Sequence, residues 1–390
     1  MTILIIHNEY SFRGGEESIV KFQKQLFEAH ENKVILYIRK YDEMKKWLFG
    51  KFWGTFTSIF NPKSLRELNV IIEKEKPDIV LLHNLFPIIS PSIIPFLKRK
   101  NVKVFQMVHN YRTLCPIGIF YQKGEICEKC TTKWREWNCV KNCCTGTFLS
   151  SISYFVRAFI TRKLGYYNHV DLFLSLTQFQ KNKLIENGYN SSKIKLLPHC
   201  LNVSDVKTDI LSDKVDAIGF IGRLTEEKGF LDFIEIAKKI PYRQFIVAGD
   251  NSKILNNLKL SELPENISFE GFLTQEQIPN FYKRCKVILF LSKLYEGFGL
   301  IMIESMSYGI PVIVYNLAAM PEIIENEKEG FVVNKGDFET ISEKINLLFQ
   351  NNDLFQKISN QCLKKFSEKY TSEKYYDNFL NICNNQNNGN

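Results

Sequence analysis

The sequence predicts an α/β protein of two Rossmann-like domains, and two observations predict it. At 390 residues the chain is too long for one ordinary α/β core. Short apolar runs alternate with amphipathic helical stretches along almost its whole length, the pattern of parallel sheets covered by helices. The charge also divides in two. Residues 1–200 carry a balance of +14 and residues 201–390 a balance of −5, within a total of +9. Hydrophobic residues make up 45% of the chain, enough for a core in each half.

In the first half, Thr2–Ile6 is an apolar strand, and Glu17–His30 is a helix with Ile19, Val20, Phe22, Leu26 and Phe27 on its inner stripe. Lys33–Ile38, Ile79–His83, Val102–Val108, Leu172–Leu176 and Lys195–Leu197 are further strands, several of them continuous apolar runs that fit buried parallel strands. The second half repeats the rhythm. Asp216–Ile221, Gln244–Ala248, Ile267–Glu270, Val287–Phe290, Val312–Val314 and Phe331–Val333 are strands, with the helix Gly229–Ile240 between the first two. A polar stretch at Asn202–Leu211 marks the linker. The domains are therefore placed at 1–205 and 206–370, with a final helix and polar tail over 371–390 that returns to the first domain. No apolar run is long enough to span a bilayer. Met1–Asn8 lacks a basic start and a cleavage site, so the expected location is cytoplasmic.

In open parallel sheets, ligands bind beyond the carboxyl ends of the strands. Two motifs fall there. The strand ending at Ile221 runs into Gly222-Arg223-Leu224-Thr225-Glu226-Glu227-Lys228-Gly229. Glycine permits close backbone approach, a helix start offers free N–H groups, and Arg223 and Lys228 supply cations for a diphosphate. The bland alternative is an ordinary strand-to-helix turn with surface charges. The second motif is Glu296-Gly297-Phe298-Gly299-Leu300, followed by Glu304. Glu296 is positioned to accept from sugar hydroxyls and Glu304 from a ribose, while the N–H groups of Phe298 to Leu300 face phosphate or sugar. Apolar Ile301, Met302 and Ile303 beside Glu304 argue against a merely solvated glutamate.

In order and spacing, these motifs resemble the retaining glycosyltransferases of family four, which have the GT-B fold of two Rossmann-like domains facing a central cleft. Supporting pieces are Arg13-Gly14-Gly15-Glu16, Ala248-Gly249-Asp250, Gly271-Phe272-Leu273 and Met306–Val312, and the likeness covers roughly residues 1–350. The resemblance implies that Arg223 and Lys228 bind the donor diphosphate, Glu304 the ribose and Glu296 the transferred sugar. It implies that Gly14 and Gly15 close over the phosphates, that Phe272 and Leu273 meet the base, and that His109 faces the sugar. Its donor is a UDP- or GDP-sugar, its acceptor a saccharide or lipid-linked saccharide, and its setting bacterial polysaccharide or envelope glycan assembly. Retention is implied too. No close carboxylate pair of the glycosidase kind is evident, so front-face attack is the expected route.

No Asp-x-Asp motif lies near these strands, so catalysis is expected to need no metal cofactor. Six of the ten cysteines fall between Cys115 and Cys144. Cys127, Cys130, Cys139 and Cys143 have the spacing of a structural zinc site, with free thiols or a redox pair as alternatives. Lysines and large aromatics mix over Lys45–Phe56. With the cationic half, this suggests an anionic membrane surface as a partner and a peripheral inner-face location, against a core helix with a wet lysine side. No nucleic-acid recognition motif is present. The competing reading is a nucleotide- or sugar-nucleotide-binding Rossmann protein without transferase activity.

Overall fold

Among the described residues, the apolar runs become twelve parallel strands in two sheets. A computed structural model describes residues 1–9, 15–45, 50–132, 135–201, 216–249 and 263–386. The expected linker at 202–211, Gly14, Asp250 and part of the 45–56 segment lie outside the described residues. The chain divides into two units. The first is Met1–Phe120, Cys127–Leu197 and Phe379–Asn390, and the second is Tyr121–Ile126 and Pro198–Asn378.

In the first unit the strands are β1 (Thr2–Glu9), β2 (Lys33–Lys40), β3 (Ile79–Leu82) and β4 (Lys103–Val108). A short hairpin follows, β5 (Tyr121–Gln122) and β6 (Glu125–Ile126), and groups with the second unit. The sequence reading kept those six residues in the first domain. β7 (Leu172–Ser175) and β8 (Ile194–Leu196) complete a six-stranded parallel sheet in the order β2-β1-β3-β4-β7-β8. Leu4, Ile6, Val80, Leu82 and Val104 sit in its core, with Leu97 packed from the helix Ile93–Arg99. Burial on both faces explains why these strands read as unbroken apolar runs rather than as alternating ones. Near the end of the chain, Phe379 stacks on Phe27 of the helix Gly15–Ala29 at 4.8 Å between ring centres.

The second unit holds β9 (Ala217–Ile221), β10 (Gln244–Ala248), β11 (Ile267–Gly271), β12 (Cys285–Phe290), β13 (Val312–Tyr315) and β14 (Gly330–Val333). All pair in parallel, in the order β11-β10-β9-β12-β13-β14. Counted along the chain this is the doubly wound Rossmann order, whose direction reverses between β9 and β12. The loops leaving these two strands therefore start side by side, although β9 and β12 lie far apart in sequence. The corresponding reversal in the first sheet falls between β1 and β3.

Among the described residues, no helix is long and apolar enough to cross a membrane.

Candidate functional site

The loop after β9 is built on glycine. Gly222 has φ of +140° and donates its N–H to Ala248 O at 2.9 Å, which keeps the turn against β10. A 3₁₀ turn over Glu226–Lys228 follows, and Gly229, at φ +80°, opens the helix Phe230–Lys239. A Cβ at Gly229 would lie 2.1 Å from Leu291 O, so only glycine lets this loop pack against the chain leaving β12.

The two loops are then fastened together. Lys293 donates its backbone N–H to Glu227 O at 2.8 Å. Lys228 Nζ meets Glu296 Oε1 at 2.6 Å, and Ser292 Oγ donates to the same oxygen at 2.5 Å. Behind them, Lys293 Nζ pairs with Asp232 Oδ1 at 2.8 Å, and Tyr315 donates its hydroxyl to Asp232 Oδ2 at 2.6 Å. Burial pushes the Glu296 carboxyl upward, but Lys228, the Ser292 hydroxyl and Arg223 together hold it below the usual carboxylate range. Glu296 is therefore an anion at neutral pH. Arg223 is exposed on the same loop and acts on Glu296 through its charge. Three predicted residues, Arg223, Lys228 and Glu296, are thus brought together. Ser292, Lys293 and Asp232 were not foreseen, because their roles appear only once the two loops meet.

Glu304 has surroundings of its own. It lies on the helix Leu300–Ser307, and its Oε2 accepts from the Tyr282 hydroxyl at 3.0 Å. Burial raises its carboxyl above the ordinary value, opposed by the Tyr282 hydrogen bond. The ring of Phe298 is buried against Tyr370 and His199, at 5.8 and 5.6 Å between centres. Its contribution to a ligand is thereby limited to its backbone. Gly297 and Gly299 flank it, and Gly299 takes φ of +86° just before Leu300 opens the Glu304 helix. At the tip of β11, Phe272 is 60% exposed and Leu273 half-buried. An uncovered aromatic ring at a strand tip suits stacking on a nucleobase.

The first unit gathers a different set. His109 leaves β4, and its Nε2 lies 2.7 Å from His83 Nδ1, just past β3. Burial lowers His109 to about 4. Burial likewise lowers nearby His7 to about 4, opposed by Glu16 and assisted by His109. His7 and His109 are therefore uncharged at neutral pH. Asn110 Nδ2 donates to Glu16 Oε1 at 3.1 Å, while Gly15 is the exposed first residue of its helix. His83 was missed because an isolated His after an apolar strand carries no signal of its own.

Among the described residues, no group of three or more His, Cys, Asp or Glu could hold a metal ion. Instead, the Cys130 thiol donates to Cys115 and the Cys139 thiol to Cys144. Cys143 is exposed, in a turn with φ of +48°. Charge also links these two pairs, since Cys115, Cys139 and Cys144 all act on Cys130.

Residues 206–365 match the family model of glycosyl transferases group 1. That stretch contains Arg223, Lys228, Glu296 and Glu304. Over 338 residues the chain is 25% identical to the capsular polysaccharide biosynthesis glycosyltransferase CapM of Staphylococcus aureus, covering 83% of this chain and 80% of that one. It is 29% identical over 217 residues to UDP-Gal:alpha-D-GlcNAc-diphosphoundecaprenol alpha-1,3-galactosyltransferase of Escherichia coli, spanning about half of each (53% and 54%). In structure it resembles sucrose-phosphate synthase from Thermosynechococcus elongatus, with a TM-score of 0.76, 14% identity and full coverage of both chains. The fold is that of the GT-B glycosyltransferases, and the family match together with the named relatives supports a glycosyltransferase of this group.

Proposed function

We propose that the chain transfers a sugar, with retention of anomeric configuration, from a nucleoside diphosphate sugar to a saccharide or lipid-linked acceptor in polysaccharide or envelope glycan assembly. The observation that carries this reading is the meeting of Arg223, Lys228 and Glu296 where β9 and β12 end side by side. Cleaving the bond between sugar and diphosphate builds negative charge on the leaving oxygen. Cations fixed beforehand near that oxygen stabilise this charge more than they stabilise the ground state. Lys228 and Arg223 are such cations. Glu296 now holds Lys228 in place, and a bound donor exchanges that contact for phosphate on Lys228 and for sugar hydroxyls on Glu296. Glu304, with Tyr282 on one oxygen, keeps its other oxygen for the ribose hydroxyls. Exposed Phe272 and neighbouring Leu273 border the base.

No carboxylate pair of the glycosidase type is part of this cluster, so attack on the same face as the departing diphosphate is the proposed route. The chain's own cations meet the charge on the diphosphate, and the proposed catalysis needs no divalent metal. A UDP-linked, membrane-anchored chemistry is supported by the Escherichia coli relative, whose name states a UDP-sugar donor and a diphosphoundecaprenol acceptor. The +14 balance of residues 1–200 supports work at the anionic inner face of a membrane.

The test is transfer from radiolabelled UDP-, GDP- and ADP-sugars in EDTA, with acceptor saccharides and lipid-linked acceptors. One donor is expected to give a labelled product whose anomeric proton keeps the donor's configuration. Nucleotide binding without transfer or donor hydrolysis would instead establish a binding protein, and an inverted product would remove the front-face route.

A further inference from the structure

The helix Phe148–Lys163 of the first unit is built inside out. Its buried residues are Ser151, Arg157 and Thr161, all polar. At about 3.6 residues per turn these lie on one side with Tyr154, while Phe148, Leu149, Ile152, Phe155, Val156 and Phe159 lie on the other. A helix that covers a core turns its apolar stripe inward. Here Leu149 is 80% exposed, Phe148 58%, and Phe159 is exposed as well. Polar contacts occupy the inward side. Ser151 Oγ donates to Thr147 O at 2.8 Å. Arg157 donates to Pro116 O, and its Cζ lies 4.3 Å from the Phe86 ring centre and 4.6 Å from that of Tyr154.

The outward side is continuous with its neighbours. Trp137 is exposed and meets Phe155 edge-on at 5.1 Å between ring centres, and Phe155 stacks on Phe159 at 5.6 Å. The Thr55 and Ser153 hydroxyls share a hydrogen bond at 2.6 Å, which sets the helix Gly50–Thr57 alongside, and Phe56 on that helix is also exposed. Single exposed apolar residues are ordinary, but a contiguous aromatic patch is not. The charge around it has one sign. Residues 129–169 carry seven Lys or Arg and one acid, Glu136, which is buried and paired with Arg162. Exposed Lys163 sits over the Phe159 ring, with Nζ 5.9 Å from its centre.

The bland reading is a surface helix with stray apolar side chains, and it leaves the polar inward side unexplained. A second copy of the chain is a poor match, because two such cationic faces repel each other. Aromatic and Leu side chains among cations, on a helix lying flat, suit the headgroup boundary of an anionic membrane. Among the described residues no helix is long and apolar enough to cross a bilayer, so the contact is in the plane of the interface. We infer that the face formed by Trp137, Phe148, Leu149, Phe155 and Phe159 docks on an anionic lipid surface, with Lys163 beside the headgroups. The choice of a membrane as partner rests on the setting proposed above; the inverted helix itself does not.

The test is flotation of the full chain with vesicles of phosphatidylcholine alone and of phosphatidylcholine mixed with phosphatidylglycerol, at low and high salt. The parent chain is expected to float with the mixed vesicles, far less with phosphatidylcholine, and less as salt rises. Phe148→Ser/Leu149→Ser should weaken partition about tenfold or more through lost apolar burial, and Lys163→Glu about fivefold or more through lost charge. All three side chains are exposed, so both variants should keep the parent melting temperature and nucleotide affinity. If the parent chain floats and the double variant floats equally well, this face is not the docking surface. Should the double variant not fold, unchanged partition in Lys163→Glu counts equally against it. A parent chain that transfers sugar to a soluble acceptor but floats with neither vesicle loses the surface and keeps the transferase reading. Flotation that these variants abolish, in a chain that transfers nothing, keeps the surface and discards that reading. Self-association in vesicle-free solution, seen by ultracentrifugation and abolished in the double variant, would assign the face to a second copy and overturn the lipid assignment.

Discussion

Lys228→Ala is expected to lower the turnover of sugar transfer on the order of 100-fold or more, the scale seen when one fixed donor to a developing oxyanion is removed. The same change has a structural consequence. It leaves Glu296 with Ser292 and the charge of Arg223, but without its closest cation at 2.6 Å. The Lys228 and Glu296 side chains are 22% and 13% exposed, so solvent screens part of the loss, and about 1–3 kcal/mol of stability is expected to go.

The pH dependence separates the two effects. In the parent chain the Glu296 carboxyl is depressed below its unfolded value. Its contribution to stability is therefore present above the unfolded value and is lost as pH falls through the depressed one. Without Lys228, burial, already the largest single influence, is no longer outweighed, the carboxyl moves upward, and acid should no longer destabilise the loop through this group. The double variant Lys228→Ala/Glu296→Gln removes the stranded charge. It should regain most of the thermal stability and none of the turnover. If the double variant recovered turnover as well, Lys228 would be a structural residue and the diphosphate assignment would fail.

Glu304→Ala is expected to weaken nucleoside diphosphate binding about 10- to 100-fold, the loss for hydrogen bonds between ribose hydroxyls and a charged acceptor. Glu304→Gln makes the sharper comparison, since an amide still accepts from Tyr282. The Glu304 carboxyl is raised by burial, so the folded chain binds the proton more tightly than the unfolded one. Its contribution to stability is present below the unfolded value and is lost as pH rises through the raised one. Near neutral pH the ionised acid is thus a burden, and Glu304→Gln should melt at or above the parent temperature while binding nucleotide less well. A buried acid that weakens the fold and strengthens ligand binding marks a functional position. If calorimetry showed equal affinity in both variants, the ribose role would be gone.

Much of the fold was legible because parallel strands buried on both faces are written as apolar runs. β10 was read to the residue, ten of the other strands of the two sheets within two residues at each end, and β1 three residues short at its end. The hairpin β5–β6 was not legible, since its two-residue strands around Lys123-Gly124 have no periodicity to detect. In the site, Arg223, Lys228 and Glu296 were found from glycine spacing at strand ends. Their mutual contact was not, because Lys228 and Glu296 are 68 residues apart and meet only through the β9–β12 pairing. The thiol pairs were not legible for the same reason in reverse. Spacing along the chain selected Cys127 and Cys143, whereas burial and turn geometry select Cys115 and Cys144 as the partners of Cys130 and Cys139. Neither His83 nor Arg157 carried a local signature, and each becomes informative only through its neighbours, His109 and the Phe86 ring.

Hydrogen exchange of the backbone, with and without UDP or GDP, addresses the donor site most directly. Saturating nucleotide should slow exchange in peptides spanning 222–230 and 296–304 of the parent chain, and Lys228→Ala should reduce that protection in the first peptide before the second. Protection confined to other peptides, or none at concentrations that support transfer, would contradict the placement of the diphosphate and ribose on Arg223, Lys228 and Glu304.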